Sequence, residues 1–181
     1  MKIILVAVMS ANGKITAGKN TRVYDWSSKE DRYYFSALIK KSKLVIMGRK
    51  TYIEARAHMI LSPKTLRVVM TKRPDTYRKQ AVSGELEFTN QSPKKLIGKF
   101  KHRGYKEALI VGGGEINTAF IRENLIDELW LTVEPVIFGC GKNLFSENNF
   151  RAGLRLQSVE RLNKKGTLLL KYSAGKISRQ K

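Results

Sequence analysis

Cysteine is almost missing from this chain. Cys140 is the only one among 181 residues, so an internal disulfide is excluded and a reducing, cytoplasmic setting is expected. Histidine is nearly as scarce. His58 and His102 lie far apart, outside metal-ligand spacing, so no metal site is expected. No apolar run comes near the roughly 20 residues that cross a bilayer, and no membrane partner is expected. The opening MKIILVAVM reads as a buried first strand, because it runs straight into the turn-like SANGKIT without a leader-type cleavage pattern. Acids are the remaining shortage: 15 Asp and Glu stand against 35 Lys and Arg, a formal net charge of +20. That balance favours anionic partners. The basic residues are scattered, at KKSK, KRP, RKQ, SPKKL, KFKHR and RLNKK, and no helix carries a basic face interleaved with aromatics. Steering of anionic small molecules is therefore expected, and a dedicated nucleic-acid partner is not. A non-enzymatic basic nucleic-acid-binding protein is the least favoured alternative.

What the chain does have is alternation of apolar runs with amphipathic stretches. Residues 2–8 read as a strand, 27–41 as a helix with Tyr34, Phe35, Leu38 and Ile39 on one stripe, and 43–48 as a buried strand. A short helix (49–56), a strand (66–71), a helix opening at Ser92–Pro93, a strand (107–111) and a helix after the glycines follow. Residues 128–138 read as one long strand, and 154–162 with 167–173 as a hairpin around Lys164–Lys165–Gly166. The fold class is α/β, with a largely parallel central sheet, antiparallel C-terminal strands and helices on both faces. The length suits one domain, over residues 1–174, followed by a basic flexible tail, 175–181.

Residues 107–117, EALIVGGGEIN, place three glycines between a strand and a helix. Ligands of open α/β sheets bind beyond the carboxyl ends of strands, and a helix start there offers free N–H groups to phosphate. Gly112, Gly113 and Gly114, with Glu115 and Ile116, therefore read either as a pyrophosphate cradle or as a tight strand-to-helix turn. A second junction, Gly48 followed by Arg49, Lys50 and Thr51, and a third, Thr71–Lys72–Arg73, put cations and hydroxyls at neighbouring strand ends. Together they suit a phosphate monoester such as the 2′-phosphate of NADP. Asp31 precedes Phe35 by four residues on one helix face. It reads either as a proton-managing carboxylate or as an acid of the first turn, since Ser27-x-x-Glu30 and Ser28-x-x-Asp31 are both capping boxes.

In order along the chain, Trp26, Asp31 and Phe35, then VIMGRKT (Val45 to Thr51), then VGGG (Val111 to Gly114), then Thr132 in LWLTV resemble the dihydrofolate reductase superfamily. That superfamily holds dihydrofolate reductases and the riboflavin-pathway reductases, and the resemblance spans about residues 2–172. It implies a dihydrofolate reductase-like fold and an NADPH-dependent reductase of a small pterin-like or pyrimidine-like substrate, working as a monomer or homodimer. It also implies Asp31, Thr132 and Trp26 as the proton-handling group, with substrate against Val6, Arg32, Phe35, Val111 and Arg67. The cofactor would lie against Ala7, Ile15, Gly48, Arg49, Lys50, Thr51, Thr71, Lys72 and the turn Gly112 to Ile116. The loop 10–24 would close over the nicotinamide.

Two departures divide the substrate readings. Folate enzymes place an arginine just before the third strand; the aligned residue here is Thr65, with Lys64 and Arg67 as candidate substitutes. WSSKEDRYYF and DELWLTVEPVIFGCGKNLF resemble the riboflavin-pathway branch, but its D-D-P-x-L-T segment is absent, and IEARAHMILSP stands in its place. Reduction of dihydrofolate to tetrahydrofolate is the leading expectation. The riboflavin-pathway reduction of a phosphoribosylaminopyrimidine is the alternative.

Overall fold

The computed structural model describes residues 1–178. The first strand, β1 (Lys2–Ser10), is followed by a long loop and helix α1 (Lys29–Lys41). Strand β2 (Leu44–Gly48) runs directly into α2 (Arg49–Ala55), and β3 (Leu66–Met70) leads through a 3-10 turn to β4 (Leu86–Thr89). Helix α3 (Pro93–His102), β5 (Glu107–Ile110), α4 (Gly114–Arg122), β6 (Glu128–Glu134), β7 (Arg151–Arg161) and β8 (Leu168–Ser178) complete the order.

Among the described residues the strands form one eight-stranded sheet, ordered β4-β3-β2-β5-β1-β6-β8-β7. The pairings from β4 to β6 are parallel, and β8 pairs antiparallel with both β6 and β7. The buried β2 is apolar on both faces, as a central parallel strand must be. One face packs Ile3, Leu5, Leu44, Ile46 and Val68 against Leu96 and Phe100 of α3 and Phe120 and Ile121 of α4. The other packs Ile4, Val6, Val45, Met47 and Val69 against Phe35, Leu38 and Ile39 of α1 and Tyr52 of α2. The parallel strands β1, β2, β3, β5 and β6 end along one edge, and the loops leaving that edge carry the residues of interest.

The helix starts differ in kind. Ser28 and Ser92 cap α1 and α3, each accepting the N–H three residues on. Helices α2 and α4 start at Gly48 and Gly113, with no capping side chain. Of the two candidate caps of α1, Ser28 is the one that accepts the Asp31 N–H, and the Ser27 hydroxyl is buried without a partner among the described residues.

The structure departs from the sequence pattern in four places. Strand β6 stops at Glu134 rather than continuing to residue 138, because Pro135 has no N–H to give a neighbouring strand. Strand β4, four residues with one apolar flank, is too short for periodicity to flag, and pairing to β3 makes it a strand. Strand β7 begins at Arg151 rather than residue 154. The expected tail from residue 175 is in part strand, since β8 runs to Ser178 against β7; residues 179–181 lie outside the described residues.

Candidate active site

Asp31 sits in the first turn of α1 and is only 6% exposed. Its backbone N–H donates to Ser28 Oγ at 3.2 Å, and its carboxylate shares a side-chain hydrogen bond with Thr132 of β6, itself buried. Burial pushes the Asp31 carboxyl up to about 6, from an ordinary value of 3.8; the Thr132 bond opposes the rise, Glu134 adds to it and Arg32 opposes it. A carboxyl tuned this close to neutrality can both hold and release a proton. Trp26 follows a 3-10 turn (Val23–Asp25) and meets Phe138 edge-on, with centroids 5.3 Å apart. Its indole Nε1 is buried without a partner among the described residues, a place where a water would be satisfied. Val6 is buried in β1, and Phe35 and Val111 pack half-buried against the same cluster. Arg32 donates Nη1 to Tyr24 O at 2.8 Å, and its charge still acts on Asp31.

Thr65, at the position of the folate-anchoring arginine, is buried and donates to Ser42 O at 2.8 Å. Lys64 beside it is exposed. Arg67 is 7% exposed with Nη1 on Thr65 O at 3.3 Å. Desolvation pulls its guanidinium down from the usual range, with Glu85 opposing. Among the described residues its guanidinium thus bonds a main-chain oxygen at its own strand entry.

The glycine turn lies over the β2–β5 edge. Gly48 N–H donates to Gly112 O at 2.8 Å, joining two of the strand-to-helix junctions. Gly112 adopts φ +96° and the Gly112–Gly113 peptide is cis. A Cβ at Gly48 would lie 2.8 Å from Ile116 Cγ1, and one at Gly114 2.7 Å from Asn143 O, so those two glycines serve the protein's own packing. At Gly113 the nearest contact would be Thr51 Oγ1 at an ordinary 3.5 Å, and at Gly112 nothing lies closer than 4.0 Å. The middle of the turn is therefore open where its ends are filled. Lys50 pairs with Glu115 at 2.9 Å, and both are exposed. The Glu115 carboxyl is held below its usual range first by the Lys50 hydrogen bond and charge, then by Lys142 and Lys72. Arg49 is exposed on α2, and Thr71 and Lys72 follow β3, with Thr71 N–H on Thr89 O at 2.8 Å.

Ala7 is half-buried on β1, and the loop behind it is tied to the β6–β7 loop: Ile15 N–H donates to Lys142 O at 2.8 Å and Gly18 N–H to Cys140 O at 3.0 Å. Two neighbours escaped the sequence reading. Lys142 reaches the field of Glu115 from a distant loop, with no local signal. Glu134 is buried two residues after Thr132 and accepts from Ser28 N–H and Thr167 Oγ1, each at 2.7 Å. Its signal was present: in a period-two strand it shares a face with Thr132.

A largely parallel sheet with an antiparallel end, bearing at its carboxyl edge a glycine turn, two uncapped helix starts and a buried acid, defines a dihydrofolate reductase-like fold. The chain belongs to the RibD C-terminal domain family, whose model matches residues 1–168. It is 30% identical over 165 residues to the "Uncharacterized protein YwjB" of Bacillus subtilis (strain 168), covering 88% of this chain and 91% of that one. It is 30% identical over 175 residues to a Caenorhabditis elegans protein named "Putative dihydrofolate reductase", covering 88% and 79% respectively. The solved structure of Acinetobacter baumannii RibD superposes with a TM-score of 0.77 at 20% identity, a likeness of fold that covers 96% of this chain and 58% of that longer one.

Proposed function

We propose that this protein is an NADPH-dependent reductase of a small nitrogen heterocycle, of the riboflavin-pathway aminopyrimidine type. The observation that carries the proposal is Asp31: a carboxyl buried beside Thr132 and tuned to about 6, at the sheet edge that bears the glycine turn. The family supports the aminopyrimidine over dihydrofolate. So does Thr65, whose hydroxyl bonds the protein's own chain at the folate-anchoring position. Dihydrofolate is the second reading, favoured by the Trp26–Asp31–Phe35 spacing and the Asp31–Thr132 bond.

The residues present fit a phosphorylated dinucleotide. Helix α4 starts without a capping side chain, Gly112 and Gly113 leave room in the turn, and Lys50 pairs with the Glu115 carboxylate while the charges of Lys142 and Lys72 also favour its ionised form. Ala7, Ile15, Gly48, Arg49, Lys50, Thr51, Thr71, Lys72 and the turn from Gly112 to Ile116 would hold it. NADPH, when bound, supplies the hydride. The protein's part is alignment and proton management. In the aminopyrimidine substrate the reducible bond is the C1′=N imine formed when the ribosylamine opens, C1′–O4′ breaking as the exocyclic N–H proton passes to O4′. Hydride then adds to C1′, or to the ring carbon of the C=N bond in dihydrofolate, and the nitrogen needs a proton. Asp31 supplies it, directly or through a water held at the Trp26 indole, and Thr132 orients the carboxylate. Phe35 and Val6 provide the apolar wall against the ring.

The deciding experiment offers the protein NADPH with dihydrofolate and, separately, with a phosphoribosylaminopyrimidine, and follows consumption of reduced nicotinamide. Turnover of the aminopyrimidine is the expected result. Turnover of dihydrofolate alone transfers the assignment to the second reading, and NADPH binding with neither substrate reduced removes both.

A further inference from the structure

We infer that Glu134 is a positioning residue for Asp31, holding the first turn of α1 in place from inside the protein and setting a negative charge opposite the Asp31 carboxyl. The inference rests on the reading of Asp31 as the proton-managing group. Glu134 is 3% exposed, and among the described residues it forms no ion pair. Its oxygens are taken one each by the Ser28 N–H and the Thr167 hydroxyl. Ser28 is the cap of α1, and its own Oγ accepts the Asp31 N–H. One face of β6 therefore grips Asp31 twice: Thr132 reaches its carboxylate, and Glu134 holds the residue that holds its main chain. The hairpin closes the grip from the far side. Thr167 accepts from Asn163 Nδ2 at 2.9 Å, and the same amide donates to Glu30 Oε2 on α1 at 3.0 Å.

Holding a helix start does not require a charge. A buried carboxylate without a cation is unfavourable unless its donors compensate, and a neutral amide could accept the same Ser28 N–H. The charge is thus the feature that asks for a role, and from the strand that carries Thr132, two residues on, it acts on Asp31. The other titratable groups around Asp31 are Glu30, Arg32 and Tyr34 of α1, with Glu160 of β7 facing Tyr34 and Lys165 of the hairpin turn facing Glu30. Of the charges that act on Asp31, Glu134 opposes its ionisation and Arg32 favours it.

Glu134→Gln in the full chain keeps the acceptor and removes the charge. The readout is the midpoint of the Asp31 carboxyl carbon, titrated by NMR in the free protein, alongside the pH profile of kcat/KM. The midpoint should fall by on the order of one pH unit, and the pH at which kcat/KM declines should fall with it. A merely structural Glu134 would change the melting temperature and leave the Asp31 midpoint where it was, and that outcome in a folded variant overturns the proposal. Thr167→Val keeps the charge but removes one anchor, and serves also if the glutamine variant does not fold. It should lower kcat/KM by at least about threefold without lowering the Asp31 midpoint; wild-type kcat/KM would overturn the positioning role. The two readings separate cleanly. An Asp31→Asn protein with the wild-type pH profile ends the proton-managing assignment, whereas the NMR midpoint reports the Glu134–Asp31 pairing whether or not the protein turns over.

Discussion

Asp31→Asn distinguishes a working acid from a helix-start acid by moving stability and activity in opposite directions. An acid that only complements the helix dipole contributes about 0.3–1 kcal/mol, and its loss should destabilise the protein. The buried Asp31 behaves otherwise. Its carboxyl is raised from 3.8 to about 6, and a shift of this size is worth about 3 kcal/mol between the protonation states. The sign follows from proton binding. Between these values the folded protein binds more protons than the unfolded chain, so stability is greatest below the unfolded value and declines as pH rises through about 6. At pH 8 the wild type carries the full cost of a buried charge, and asparagine does not. The value of about 6 already contains the Thr132 hydrogen bond, so after subtracting only the helix-dipole contribution Asp31→Asn should be more stable by about 2–3 kcal/mol at pH 8, with the gain gone by about pH 4. The rate should fall at least roughly 10²-fold in kcat/KM at neutral pH, and the residual rate should climb as pH falls. Urea unfolding at four pH values and steady-state reduction from pH 5 to 9 check both halves. Thr132→Val should show a smaller loss of rate. A variant less stable at pH 8 and as active as the wild type would refute the whole account and leave Asp31 a helix-start acid.

The cofactor cradle yields three further expectations. Arg49→Ala should weaken NADPH about tenfold or more and NADH far less, because a charge-assisted contact to the extra phosphate contributes about 1.5–3 kcal/mol; equal losses in parallel titrations would discard the role. Gly113→Ala should remain folded by circular dichroism, since its methyl meets only Thr51 Oγ1 at 3.5 Å, yet lose NADPH binding, because the methyl stands where the pyrophosphate would approach. Normal NADPH affinity in that variant would make the turn purely structural. Glu115→Gln should tighten NADPH by roughly two- to fivefold by releasing Lys50 from an exposed pair that itself contributes little stability; calorimetry showing weaker binding would contradict an electrostatic cradle.

Periodicity alone located most of the fold. The buried runs of β1, β2, β3 and β5, the stripe of α1 and the hairpin of β7 and β8 are local patterns, and local patterns survive in a sequence. The class followed from their alternation. What periodicity missed was non-local: β4 is a strand because β3 pairs with it. The end of β6 lay in plain view at Pro135, and the apolar residues beyond it masked the stop.

The candidate site divides along the same line. Residue types and spacing by themselves determined which segments could do chemistry: glycines before a helix, cations after strands, an acid one helical turn before an aromatic. Only the tertiary structure decided what surrounds each of them. Asp31 could be a surface cap or a buried acid on identical local sequence, and the difference is made by β6 lying across the start of α1. Thr65 and Arg67 could each face a ligand on sequence alone, but the folded chain engages their polar atoms with Ser42 O and Thr65 O. Glu134 is the sharpest case. Its alternation with Thr132 is visible in LWLTVEP, yet its donors come from Ser28 and Thr167, residues 106 and 33 positions away. A carboxyl's behaviour is set by desolvation and by charges within a few ångströms. Those quantities belong to the packed chain, because it is packing that takes water away and brings distant residues within reach.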